Sequence, residues 1–270
     1  MRKLNIFCTS IFYYKVLDNL PKYIIKLGLG DASFPKEWLT EKKNDNISHL
    51  NKFYGEMTGI YWIWKNLYQN FNENDLIGNC HYRKFWLNDL YNEKQKNSKQ
   101  SLFDNLLKEN NPNLNKFENF QVQPIIFKEK NLLEDFLVVH KNDSLEKSID
   151  FLDTKFRAEF KNHLEQKVFY PLNMFITTTN NFRKYCEIIF PWLESCYKYC
   201  SKKELCNGYN TRLPAFLAER FTSFWFSQET SANLSYARIG NIFLSNTINR
   251  VLNTIKLPYT FKMYPTLHRY

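Results

Sequence analysis

The chain has 270 residues, 44% of them hydrophobic and 17% aromatic, with only seven glycines and a formal charge of +10 at pH 7. That length and apolar content suffice for a full core and exclude a disordered tail. The positive balance points to an anionic partner, whether a nucleotide, a phospholipid surface or a nucleic acid, without choosing among them.

The start, MRKLNIFCTSIFYY, is basic but has no apolar run of signal-peptide length, and nowhere do eighteen apolar residues follow one another. The expectation is a cytoplasmic protein, neither exported nor membrane-spanning. Residues 3–9 read as a strand and about 22–27 as a short strand or helix. The strongest helix runs from Asn46 to Asn70, entered through Asn46 or Ser48 as cap. DLIGNCHYRKF, 75–85, is a strand, followed by a polar excursion from about 87 to 118 with one short helix near 101–109. Then come the strand FQVQPIIF (120–127), helices near 129–140 and 144–166, and the strand PLNMFITT (171–178). Helices at about 180–201 and 212–227 complete the pattern. Such alternating periods predict a single α/β domain over 1–270, with a helical C-terminal part.

Taken at 100° per residue, the long helix carries Phe53, Met57, Ile60, Trp64 and Leu67 on its core side. The opposite side shows Asn51, Gly55, Thr58, Trp62 and Lys65, where small residues allow a ligand to approach. Glu56 falls at the edge of the apolar stripe and is either paired with a cation, held protonated, or an ordinary surface acid. Along the strand 75–85, alternation puts Asn79, His81 and Arg83 on one face at its carboxyl end. Ligands of open α/β sheets bind there, and a His–Arg pair suits a phosphate or diphosphate, unless Arg83 simply pairs with Glu56. Cys196, Cys200 and Cys206 match neither a zinc nor a redox spacing and read as reduced thiols on a helix and its exit loop.

NISHLNKFYGEMTGIYWIWKN followed by DLIGNCHYRKF resembles a family of capsular and exopolysaccharide biosynthesis proteins, long catalogued as a domain of unknown function and regarded as glycosyltransferases. NMFIT (173–177), FRKYCEIIFPWL (182–193) and FLAERF (216–221) are similar to its later blocks. The chain departs from the pattern at Gly55, where Cys is usual, at Met57 for Leu, and at Lys84 for a second arginine. The resemblance implies a GT-A-like, Rossmann-related mixed sheet flanked by helices. It also implies transfer of a sugar from a nucleotide-sugar donor, UDP-linked hexose or galactofuranose, to a growing glycan or lipid-linked glycan. Folds of that kind hold the donor diphosphate through a DxD motif and a divalent metal. The chain has no DxD, and Glu73-Asn74-Asp75 lies at the wrong end of the strand, so the expectation is metal-independent binding by Asn79, His81, Arg83, Lys84 and Arg220, with a divalent ion as the open alternative.

Glu56 and Glu219 are the expected catalytic acids, with Asp75 and Asp135 kept open, and inversion or retention is undecided. Glu219 shares a helix face with Arg212 and Phe216. Asn51, Trp62, His140, Asn173 and Arg212 are the expected sugar or acceptor ligands, Asn173 by analogy with glycogenin-like transferases. A non-catalytic capsule-assembly scaffold is the alternative, and a nucleic-acid binder a weaker one, since no nucleic-acid-binding motif occurs. The stretch 241–270 mixes Arg250, Lys256, Lys262 and Arg269 with aromatics and has no acid, which suits peripheral contact with the inner face of an anionic membrane.

Overall fold

A computed structural model describes residues 2–88 and 106–227, with the backbone at Ser231–Leu234 and Tyr236–Arg238. Strand β1 (Leu4–Ser10) is buried at every position, as a strand covered by a layer on each face must be. It runs parallel to β2 (Ile24–Gly28) on one side and to β4 (Leu76–His81) on the other. β3 (Leu39–Thr40) extends the sheet beyond β2. Beyond β4 lie β9 (Phe175–Thr178) and β6 (Asn119–Val122), joined by antiparallel pairings, and then β10 (Ser231–Leu234), parallel to β6. β5 (Lys84–Trp86) folds back on the end of β4 and pairs with β11 (Tyr236–Arg238). The sheet is therefore mixed, in the order β10-β6-β9-β4-β1-β2-β3.

Alternation along the central strands divides the core in two. Leu4, Ile6 and Cys8 meet Leu76, Cys80 and Ile176 on one face. Phe7, Ile77 and Phe175 meet helices on the other, among them α2 (Met57–Asn66), α6 (Thr179–Lys202) and α7 (Leu213–Ser227). By the same period of two, Thr9, Asn79 and His81 belong to the helical face. Thr9 stands opposite His81 in the ladder. Because β9 is antiparallel, the turn that enters it arrives at the same end of the sheet as the carboxyl ends of β1 and β4.

Several expected elements are broken where the backbone has a reason to break. The helix expected over 46–70 divides into α1 (Asn51–Tyr54) and α2, because Gly55 adopts φ +56° and ψ −131°, outside the helical region. A Cβ at Gly55 would lie 1.9 Å from Nη2 of Arg212. Asn46 does not cap a helix there but accepts from the Ser48 backbone N–H and hydroxyl at 3.1 and 2.8 Å, an Asx turn. The strand expected over 75–85 ends at His81, and Tyr82-Arg83 form the turn into β5. Pro124, which cannot donate to a ladder, separates β6 from β7 (Ile125–Ile126), and β7 pairs with β8 (Val168–Phe169) in a separate ribbon.

The helix α3 (Leu132–His140) begins with a reciprocal cap between Asn131 and Glu134 at 2.8 and 2.9 Å. The helix expected over 144–166 is two, α4 (Ser144–Ser148) and α5 (Thr154–Leu164), with Asp153 capping the second through Lys155 N at 3.1 Å. All six cysteines are free thiols, five of them buried. The short helix expected near 101–109 lies mostly outside the described residues, and its described end is not helical, since Leu106 bridges to Leu87. The basic aromatic stretch 241–270 also lies outside them. Among the described residues no helix is long and apolar enough to cross a membrane.

Gly78 marks where β4 and β9 come closest, since a Cβ there would lie 2.6 Å from Ile176 Cγ1 and 2.9 Å from the Phe175 carbonyl oxygen. The backbone cannot yield without parting two central strands. Gly78→Ala is expected to lower stability by about 1–3 kcal/mol, read as a lower urea midpoint at unchanged m-value; an unchanged midpoint would mean that β9 is free to shift.

Candidate active site

β1 lies between β2, which follows it in sequence, and β4, which does not, so the crevice outside β1 and β4 is a topological switch point. A cleft of about 700 Å³ opens there. Its walls come from the end of β1, the Tyr82-Arg83 turn, the interrupted helix at Gly55-Glu56, the entry turn of β9, and α7 with the segment leading into it.

The β9 entry turn holds the walls in register. The chain was expected to be extended from Pro171, but Leu172 and Asn173 have φ of +88° and +47°. Asparagine tolerates that region; for leucine it costs on the order of 1–2 kcal/mol. Four neighbours hold the pair. Asn79 donates to the Asn173 carbonyl at 2.7 Å and accepts from Phe175 N at 3.0 Å. The His81 ring donates through Nε2 to the Leu172 carbonyl at 2.8 Å. Glu219 accepts from Leu172 N, and Thr222 donates to Asn173 Oδ1 at 3.1 Å.

The same turn places two carboxylates in the cleft. Glu56 Oε1 accepts from Asn173 Nδ2 at 2.9 Å, and its Oε2 accepts from Arg212 Nη2 at 2.9 Å. Burial alone would raise the Glu56 carboxyl, but the attraction of His81 where that ring is protonated, the charge of Arg212 and the Asn173 amide outweigh it and hold it below its ordinary value. Burial also pushes His81 down to about 4 against the pull of Glu56. The ring is therefore neutral at pH 7, its proton is on Nε2 because a carbonyl can only accept, and the cation facing Glu56 is Arg212. Glu219 differs: burial raises its pKa, and the charge of Arg220 only partly offsets this. Two carboxyls beside one cavity are thus tuned in opposite directions by their surroundings.

Of the expected site residues, Glu56, Glu219, Asn51, Asn173 and Arg212 line the cleft. So do His81, Arg83 and Lys84, although Arg83 stands in the turn, its guanidinium 4.8 Å from the Tyr82 ring, and not on the strand face with His81. Glu56 is paired with a cation as one expectation had it, but with Arg212 and not Arg83.

Four expected ligands lie elsewhere. Asn79 is buried beneath the turn with both amide ends occupied. Arg220 follows Glu219 by one helical position and so points into the core, between the rings of Phe169 and Phe136 at 4.1 and 5.5 Å, paired with Glu219 and with Asp135. Trp62 is rotated away by the break at Gly55 and donates to the Lys43 carbonyl at 2.6 Å. His140 is buried against Phe136 and Phe216 and bonded to Asn210 at 2.8 Å. The two aspartates kept open are structural: Asp135 answers Arg220 and Lys130, and Asp75 accepts from Lys3 N at 3.0 Å at the far end of β4.

Sequence reasoning missed Thr9, Ser10 and Leu172, which also line the cleft. A polar pair closing an apolar strand was the available signal for the first two; nothing in PLNMF marks a leucine for positive φ. Among the described residues no three His, Cys, Asp or Glu side chains gather as metal ligands. Among the described residues the cleft carboxylates are already engaged by Arg212, Asn173, Leu172 and Arg220.

A family model described as a domain of unknown function, DUF4422, matches residues 12–230. No curated protein matches the chain. Among solved structures the chain is similar to the apo structure of WbbM, a bifunctional glycosyltransferase, with a TM-score of 0.64 and 16% identity over 89% of this chain and 46% of that one. The chain thus spans less than half the length of that protein, and at this identity the likeness concerns the fold. The GT-A-like mixed sheet flanked by helices is the fold found.

Burial lowers His140 and His163, like His81, to about 4, well below the 6.5 of an exposed ring. The folded state binds fewer protons than the unfolded one between those values, so stability present above pH 6.5 is lost as pH falls toward 4. Each histidine contributes a slope of up to about 1.4 kcal/mol per pH unit. Raised Glu219 acts in the opposite sense. Urea titrations from pH 7 to 4.5 should show a steep fall; a flat profile would mean that these rings protonate in place.

Proposed function

The chain belongs to the DUF4422 family, and from that premise and the cleft's geometry we propose that it is a glycosyltransferase using a nucleoside-diphosphate sugar, UDP-linked, to extend a surface glycan. The observation that carries this reading is the Glu56 carboxylate, held ionised by Arg212 inside a switch-point cleft whose rim bears Arg83 and Lys84. Support also comes from the fold shared with a glycosyltransferase.

In this reading the donor diphosphate lies against Arg83 and Lys84, whose fixed charges stabilise the leaving group. No step is routed through a metal. Glu56 takes the proton of the acceptor hydroxyl. Arg212 is half exposed, so it can turn toward the diphosphate when donor binds and release the second carboxylate oxygen. Glu219 and His81 do not touch the reacting atoms; they hold Leu172 and are positioning residues. Neutral His81 adds no charge that would compete with Arg212 for Glu56.

A donor screen by mass spectrometry, with and without EDTA, tests the activity. Turnover of a UDP-sugar that survives EDTA is expected; activity lost with EDTA and restored by manganese would put a metal where the two cations are placed. Glu56→Gln keeps the shape and removes the charge. It should lower kcat by about 10²–10⁴ while leaving UDP affinity within a few-fold, and a loss smaller than about tenfold would return Glu56 to a structural ion pair. Arg83→Ala should weaken UDP binding by about 2 kcal/mol through the lost charge-assisted hydrogen bond. Unchanged calorimetric affinity would move the diphosphate elsewhere.

A further inference from the structure

Beyond the end of β1 the chain exposes three large apolar residues in succession. Ile11, Phe12 and Tyr13 are 40%, 53% and 40% accessible. Single exposed hydrophobics need no explanation, but a run of three beside a cleft does. The loop is also built to keep them out. Ser10 Oγ donates to the Phe12 carbonyl at 2.5 Å and accepts from Phe12 N at 3.4 Å. The Tyr13 hydroxyl donates to Asp18 at 2.7 Å, and Asp18 is fixed in turn by Trp38 Nε1 at 2.9 Å.

The rings continue into the cleft. Phe12 meets Tyr14 edge to face at 6.4 Å, and Tyr14 stacks on Tyr82 at 5.3 Å with 11° between the planes. Tyr82 and Ile11 line the cleft itself. On the outer side Tyr13 packs edge-on against Trp38 at 5.8 Å. The loop Ser10–Tyr14 contains no charged residue, whereas the cations of the cleft are Arg83, Lys84, Arg212 and Lys52 on its other walls.

We propose that Phe12 and Tyr13 form a stacking platform for the sugar rings of the acceptor glycan, leading its end from the mouth of the cleft toward Glu56. This rests on the glycosyl-transfer reading of the cleft. A pyranose has an apolar C–H face that packs on an aromatic ring, with hydroxyls at its rim. Adjacent preorganised rings, with Asp18 beside them to accept from hydroxyls, fit successive units of such a chain. An uncharged loop suits a neutral glycan better than a diphosphate.

The probe is the surface polysaccharide of the cells that encode the protein, cut to oligosaccharides and titrated by calorimetry beside UDP. Phe12→Ala, Tyr13→Ala and the double variant remove exposed rings, and circular dichroism checks that the fold is kept. The double variant is expected to weaken oligosaccharide binding at least tenfold and to leave UDP affinity within twofold. Unchanged oligosaccharide affinity overturns the platform, as does wild-type protein that binds no fragment. A fall in UDP affinity instead would make the rings a base platform. Ring-dependent binding to phosphatidylglycerol vesicles in place of oligosaccharide would make them a lipid contact. Wild-type protein that binds oligosaccharide through the rings but no UDP would uphold the platform and sink the transferase reading.

Discussion

Two consecutive residues in the left-handed region, Leu172 and Asn173, hold this site together. The strain is local, but the groups that hold it come from two separate parts of the chain: Asn79 and His81 from β4, and Glu219 and Thr222 from α7. The turn therefore joins sheet to helix at the place where the cleft opens. Extended backbone at 172–173 would carry the Leu172 N–H away from Glu219 and the Asn173 amide away from Glu56. Both carboxylates would then lose a partner in a place where an unsatisfied charge costs several kcal/mol.

Each carboxylate answers a cation of different mobility. Arg220 is enclosed by Phe136 and Phe169 and shared between Glu219 and Asp135, so the charge behind Glu219 cannot leave. Arg212 reaches Glu56 from a segment at the surface, with much of its side chain in water. A buried pair broken by losing one partner leaves a costly orphan, while a rim pair can exchange partners at little cost. Glu219 thus has a fixed partner, whereas the partner of Glu56 can be exchanged.

Much of the architecture was legible because it rests on period and caps. The strand at the start of the chain, the alternation of β4 and the helices α3, α6 and α7 rest on local signals, and each lies close to where it was expected. Glu56, Glu219, Arg212 and Asn173 could be singled out from residue type and from the resemblance. Illegible were the features set by distant contacts. Arg220 and His140 carry polar groups that suit a ligand, and only tertiary packing reveals that the core already satisfies or encloses them. Trp62 was misplaced because a regular helix was assumed across Gly55, and Arg83 because the strand was continued past His81. Leu172 has no sequence signal for its conformation; the partners that impose it lie up to 91 residues away.

The interruption at Gly55 has a consequence for how the sequence can change. The guanidinium of Arg212 occupies the space that a side chain at position 55 would fill, and the glycine's positive φ excludes most replacements independently. The two positions share one volume, so a side chain at 55 would turn the half-exposed guanidinium of Arg212 away from Glu56. A shorter residue at 212 would likewise strip Glu56 of the cation that keeps it ionised. A helix break, a steric vacancy and the charge state of an acid are thus linked through one arginine.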